Sequence, residues 1–227
     1  MLDALEEAKR EELKAKCREM KVLPPTDIFI GLQVHDKGNL IFDDVQRGHS
    51  WTRNYWNYIF ACTSNCSIVD SSFGAGYISC LNDGNNVTYQ NDIYNTYGNL
   101  LTGATNTTIG IVVGTGTTAF NIDQYNLAAL IDNGTGSGKF SYNASAVNST
   151  TYTSTSKTWT IVGSRVFNNN SGDVIVVAET GLRVYYYRYG NRYWLLERSL
   201  LTPAVSVPDG AQLTVTYTIV DDFSAID

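Results

Sequence analysis

The chain has 227 residues, 43% of them hydrophobic and only 17% charged, with a net charge of −6. That length fits one large all-β domain with an appendage, and an acidic balance without recurring Lys/Arg clusters excludes a nucleic-acid groove. No stretch is apolar for long enough to span a membrane; residues 1–20 are charged throughout, so no signal-peptide core is expected and a soluble protein is predicted.

Leu2 to Lys21 is the only run of strong helix formers, with acidic residues early and basic residues late, as the helix dipole favours. Leu13, Cys17 and Met20 fall at i, i+4 and i+7, a thin apolar stripe. Leu23-Pro24-Pro25 ends the helix, because the residue before a proline is pushed out of the α region. Residues 1–25 therefore read as a helical arm and proline linker ahead of a domain at 26–227. A narrow stripe suits folding back on its own domain or docking on a neighbouring subunit; the short linker makes docking the expectation. Leu2, Leu5, Leu13, Cys17 and Met20 are its candidate interface residues.

Ile28, Ile30, Leu32 and Val34 alternate in a first strand, and Asp36-Lys37-Gly38-Asn39 turns it back through Leu40 to Phe42. Ser50 is placed to cap a helix from Trp51 to Ala61, aromatic nearly all round, so that Trp51, Tyr55 and Trp56 are further interface candidates. Tyr77 to Leu81 and Val87 to Gln90 read as short strands within long loops. Thr108 to Val113 is a buried-type strand ending at Gly114-Thr115-Gly116, and Asp123 can cap a short helix through Ile131. Gly138-Lys139 runs into the strand-like Phe140-Ser141-Tyr142, which excludes a phosphate-binding loop.

The last third spells out strands. Lys157 to Phe167 stops at the turn-forming 168–173; Val174 to Ala178 and Val184 to Tyr189 follow, with Gly190-Asn191 as a two-residue turn into Tyr193 to Arg198. After Pro208-Asp209-Gly210, Leu213, Val215, Tyr217 and Ile219 alternate with Gln212, Thr214, Thr216 and Thr218, one face buried and one coated with threonine. The predicted fold is mainly β: an antiparallel, jelly-roll-like β-sandwich with an N-terminal helical arm and one embedded aromatic-rich helix.

Chemistry is sparse. Cys62-x3-Cys66 with Cys80 and a histidine offers a loose metal set, but structural zinc sites use tighter pairs, and small buried hydrophobes are the plainer reading, Cys17 included. Seven Asn-x-Ser/Thr sequons are expected by chance in a chain this rich in those residues. Glu179 with Glu197, or Asp43-Asp44 with Asp221-Asp222, could pair as glycosidase carboxylates; solvated strand ends are the expectation, so no catalytic residue, cofactor or metal is assigned and no enzyme is expected. Tyr185, Tyr187, Tyr189, Tyr193 and Trp194 cluster about the 190–191 turn. They form either a cross-strand aromatic ladder or a glycan-stacking rim, with Tyr187, Tyr189, Tyr193 and Trp194 as its contacts.

Gly48 to Tyr55, Gly114-Thr115-Gly116, Leu127 to Ile131, Arg165 to Gly172, Glu179 to Leu182 and Val207 to Ile219 together resemble virion structural proteins of tailed bacteriophages across most of residues 45–220. The resemblance implies a non-enzymatic capsid, neck or tail component, assembled in the host cytoplasm with other virion proteins and with its own copies. A receptor- or carbohydrate-binding adhesin module on the virion surface is the alternative, with a host glycan as partner.

Overall fold

A computed structural model describes residues 4–20, 26–48, 50–57, 79–81, 87–89, 96–97, 100–187 and 191–224. They form α1 (Ala4–Met20), β1 (Asp27–Asp36), β2 (Asn39–Arg47), β3 (Ser50–Trp51), β4 (Ser79–Leu81), β5 (Val87–Tyr89), β6 (Thr96–Tyr97) and β7 (Gly110–Gly114). Then come β8 (Phe140–Tyr142), β9 (Ala146–Thr153), β10 (Thr158–Asn169), β11 (Ile175–Tyr187), β12 (Asn191–Val207) and β13 (Gln212–Asp222). No described helix is long and apolar enough to cross a membrane.

Two antiparallel sheets make a β-sandwich. The first runs β2-β1-β13-β10-β8, with β9 also on β10; the second runs β3-β12-β11-β6, with β7 also on β11, while β4 and β5 pair separately. β11 with β12 in one sheet and β10 with β13 in the other form a nested pairing, the folding-over step of a jelly roll. The alternation in β13 works as expected: Leu213, Val215 and Tyr217 are fully buried opposite Val34, Leu32 and Ile30 of β1, and the threonines take the other face. The β1–β2 turn puts Lys37 and Gly38 at positive φ (50° and 83°), the backbone that a two-residue primed hairpin turn requires.

Four local expectations are corrected. Residues 174–189 were expected as two strands, but β11 is continuous to Tyr187, and β12 likewise continues through Pro203. A register shift between Val177 and Glu179 absorbs the irregularity, setting residues 201–204 of β12 against Ala178. Asn191, expected in the turn, pairs with Tyr187 inside the ladder. Residues 121–131 contain turns and no helix, because their N–H groups serve other partners, described below. Ser50 and Trp51, expected to open a helix, form β3 on Glu197 and Arg198 of β12. Thr52 fixes that path, its N–H bonding Leu196 O and its Oγ1 bonding Leu195 O, both within 2.8 Å. Only residues 53–57 are helical; the rest of the expected helix lies outside the described residues.

Candidate functional site

Glu179 and Glu197 sit on the paired strands β11 and β12, yet they face opposite ways. Successive side chains of a strand point to opposite faces, and Arg198, next to Glu197, is the one bonded to Glu179. On the outer face of the second sheet, Glu179 Oε2 accepts Arg198 Nε–H at 2.5 Å and Ala128 N–H at 3.1 Å, while Oε1 accepts the N–H groups of Ala129 (2.7 Å) and Gly116 (3.1 Å). Arg198 Nη1 also donates to Gln124 Oε1 at 3.0 Å. The 115–131 segment is thus laid over the sheet as a cover, with this ion pair fully buried beneath it.

On the inner face, Glu197 bridges the two sheets. Tyr217 of β13 donates its hydroxyl to Glu197 Oε2 at 2.6 Å, and Ser199 Oγ donates to Oε1. The Tyr217 hydroxyl is also 3.3 Å from Thr180 Oγ1, which donates to Val112 O. Burial pushes the Glu197 carboxyl up to about 7, the donors from Ser199 and Tyr217 opposing it. Two buried carboxylates on opposite faces of one sheet cannot flank a common bond, so the first glycosidase-type pair falls away. Asp43 and Asp44 of β2 lie level, across β1, with Thr214 and Val215 of β13, at least six residues from Asp221 and Asp222, so the second candidate pair is not brought together either. Asp221 and Asp222 themselves face apart: Asp221 takes the Thr26 hydroxyl at 2.6 Å, and Asp222 meets Arg18 of α1 at 3.4 Å.

The helix α1 lies against its own domain through a charged stripe. Lys14 Nζ reaches Asp27 at 2.8 Å, Arg10 pairs with the same carboxylate, and Arg47 of β2 approaches it at 3.4 Å while also meeting Glu7 at 3.2 Å. Burial alone would lower the Lys14 ammonium, but its ion pairs with Asp27 and Glu11 win and raise it. The docking side is therefore Glu7, Arg10, Lys14 and Cys17, at i, i+3, i+7 and i+10. It is displaced from the apolar stripe read in the sequence: Cys17 is buried, but Leu13 and Met20 are exposed. Nothing is described of Leu2 or of the Leu5 side chain.

The aromatic candidates separate. Trp51 is buried and stacks on the half-buried Tyr55 with ring centroids 3.9 Å apart, and Trp56 meets Tyr55 edge-on, itself exposed. In the hairpin, Tyr185 and Tyr193 form a direct cross-strand pair with centroids 5.5 Å apart. Trp194 is fully buried, so it belongs to the core and not to a glycan-contacting rim. Tyr189 and the Tyr187 side chain lie outside what is described, as do Cys62, Cys66 and His49. Among the described residues no group of three or more His, Cys, Asp or Glu side chains gathers, and Cys17 is a free thiol.

Two features escaped the sequence reading. Arg165, buried in β10, donates to the carbonyls of Asn106, Asn143 and Ile111 at 2.7, 2.8 and 2.9 Å and also to those of Gly103 and Ile109, tying the 103–111 segment to the first sheet. Its guanidinium lies 4.7 Å over the Tyr142 ring, and burial pulls its pKa down to about 10. The other is an exposed aromatic pair, Tyr152 of β9 and Trp159 of β10. A single arginine within an alternating strand, or one aromatic at a strand end, gives no pattern by which to find them. No family model, no curated protein and no solved structure matches the chain.

Proposed function

We propose that the chain is a non-enzymatic structural component of a tailed-phage virion, built to assemble with its own copies and with other particle proteins. The placement in a virion rests on the sequence resemblance set out above. The observation that supports assembly is the edge of the first sheet: on β2, which pairs only with β1 among the described strands, Leu40, Ile41 and Val45 are each at least half exposed. An open edge strand offers a row of backbone donors and acceptors; Asp43 and Asp44 blunt the middle of this one with charge, and the exposed apolar side chains flank them on both sides. Here α1 docks at the end of that strand through Arg47, adding the exposed Leu13 and Met20 to the chain's uncovered apolar surface. Glu179 and Glu197, the buried carboxylates that would argue for hydrolysis, are engaged instead in holding the sandwich together.

Sedimentation velocity of the full chain across a concentration series tests this reading, together with quantitative mass spectrometry of purified particles. Discrete oligomers that an Ile41→Lys, Val45→Lys double variant dissolves while keeping its fold, with a fixed copy number per particle, are expected. A chain that stays monomeric throughout and is absent from the particles refutes it.

A further inference from the structure

The inward-facing row of β10 and β13 ends in an exposed side chain. Trp159 pairs with Asp221 in the same regular register that sets Ile161 on Ile219 and Phe167 on Leu213, so it belongs to the core-lining face. Tyr152 stands directly opposite Trp159 on β9. Yet Trp159 is 42% exposed and Tyr152 49%, their ring centroids 5.6 Å apart and their planes tilted by 41°. The row Tyr152, Trp159, Asp221 thus crosses three neighbouring strands at the open mouth of the sandwich. Beyond it stand Thr26, whose hydroxyl bonds one oxygen of Asp221, and the half-buried Tyr55, close enough for Asp221 to act on its phenol electrostatically.

We propose that this mouth is a binding site for a neutral carbohydrate, one sugar ring stacking on Trp159 and Tyr152 while a hydroxyl donates to the second carboxylate oxygen of Asp221. Two adjacent exposed rings beside one carboxylate answer the two faces of a sugar, apolar C–H groups below and hydroxyl donors at the rim. Size argues against a protein partner. Two aromatic side chains a little under half exposed offer roughly 200 Å², against about 800 Å² that a standard interface takes from each partner. Charge argues against an acidic sugar, since Asp221 stands at the site and the chain carries −6. This inference is independent of the assembly reading, which sedimentation tests and sugar binding does not.

The test is calorimetric titration and saturation-transfer NMR of the full chain against a panel of neutral hexasaccharides: β-1,4-, β-1,3- and α-1,4-linked glucans and a β-1,4-mannan. A hyaluronan hexasaccharide serves as the acidic comparison. At least one neutral member is expected to bind, Trp159→Ala to weaken it about tenfold or more, and Trp159→Phe, which keeps a ring, to retain most of the affinity. Circular dichroism confirms the fold of each variant, and Asp221→Asn supplies a second probe should Trp159→Ala fail to fold. The proposal is overturned if no neutral sugar binds at millimolar concentration, if folded Trp159→Ala and Asp221→Asn both bind as the wild type does, or if hyaluronan binds equally well. It is also overturned if Trp159→Ala changes the sedimentation coefficient and not sugar binding, since a second copy would then occupy the mouth.

Discussion

Arg198 donates its Nε–H to Glu179 Oε2 at 2.5 Å between β12 and β11, with neither side chain exposed. The same carboxylate anchors the covering segment through Gly116, Ala128 and Ala129. Removing one partner of a buried ion pair strands the other charge, which costs about 3–5 kcal/mol. Glu179→Ala is therefore expected to lower the urea midpoint strongly. A Glu179→Leu, Arg198→Met double variant should recover part of the loss, because no lone charge is left inside. A midpoint within experimental error of wild type in Glu179→Ala would show that the pair does not hold the cover in place.

Glu197 makes stability depend on pH. Its carboxyl titrates at about 7 in the folded protein against an ordinary 4.5, so between those values the folded state holds a proton that the unfolded chain has released. Stability then falls as pH rises through that window and levels off above it, the reverse of a salt-bridged carboxylate. The groups around it are Tyr217 and Ser199, which donate to it, with Thr180 beside Tyr217 and Arg198 nearby in the same strand. Urea denaturation at a series of pH values between 4.5 and 8 should show this downward contribution in the wild type. It should be absent in Glu197→Gln, which stays neutral throughout; identical slopes would refute the assignment.

The strands were readable because their signal is local. Leu213, Val215 and Tyr217 alternate over one strand, and Lys37-Gly38 carries its own backbone preference. Glycines read as punctuation turned out to answer a contact distant in sequence. A Cβ on Gly114 would come within 2.5 Å of both Ala129 O and Glu179 Oε1, so that residue makes room for the carboxylate and its cover. No window of sequence around Gly114 contains Glu179. The aromatic mouth was hidden for the same reason, because Tyr152, Trp159 and Asp221 become neighbours only through the register of three strands. The docking side of α1 was missed because apolar periodicity was sought where charge periodicity decides: Arg10 and Lys14 converge on one carboxylate that lies beyond the proline linker.

That carboxylate gives the last prediction. Asp27 is buried and shared by Arg10, Lys14 and Arg47, whereas Cys17 is the one buried apolar side chain described on α1. Among the described side chains, ion pairs more than apolar burial hold the helix to the sandwich. Asp27→Asn leaves three partly buried cations without their shared partner, a loss of about 3 kcal/mol when set just under the range for broken buried pairs. The core alternation of β1 is untouched, because Asp27 lies at its first position and faces away from Ile28. Opening should consequently be local: amide hydrogen exchange in residues 4–20 is expected to speed up on the order of a hundredfold, with β13 protected as before. Arg18→Ala, which removes only the exposed pair with Asp222, should change exchange little, since such pairs contribute about 0–1 kcal/mol. Raising the salt concentration should move the wild type part of the way toward the Asp27→Asn behaviour. If the helix exchanges no faster in Asp27→Asn than in wild type, Cys17 packing holds it and the charged stripe is incidental.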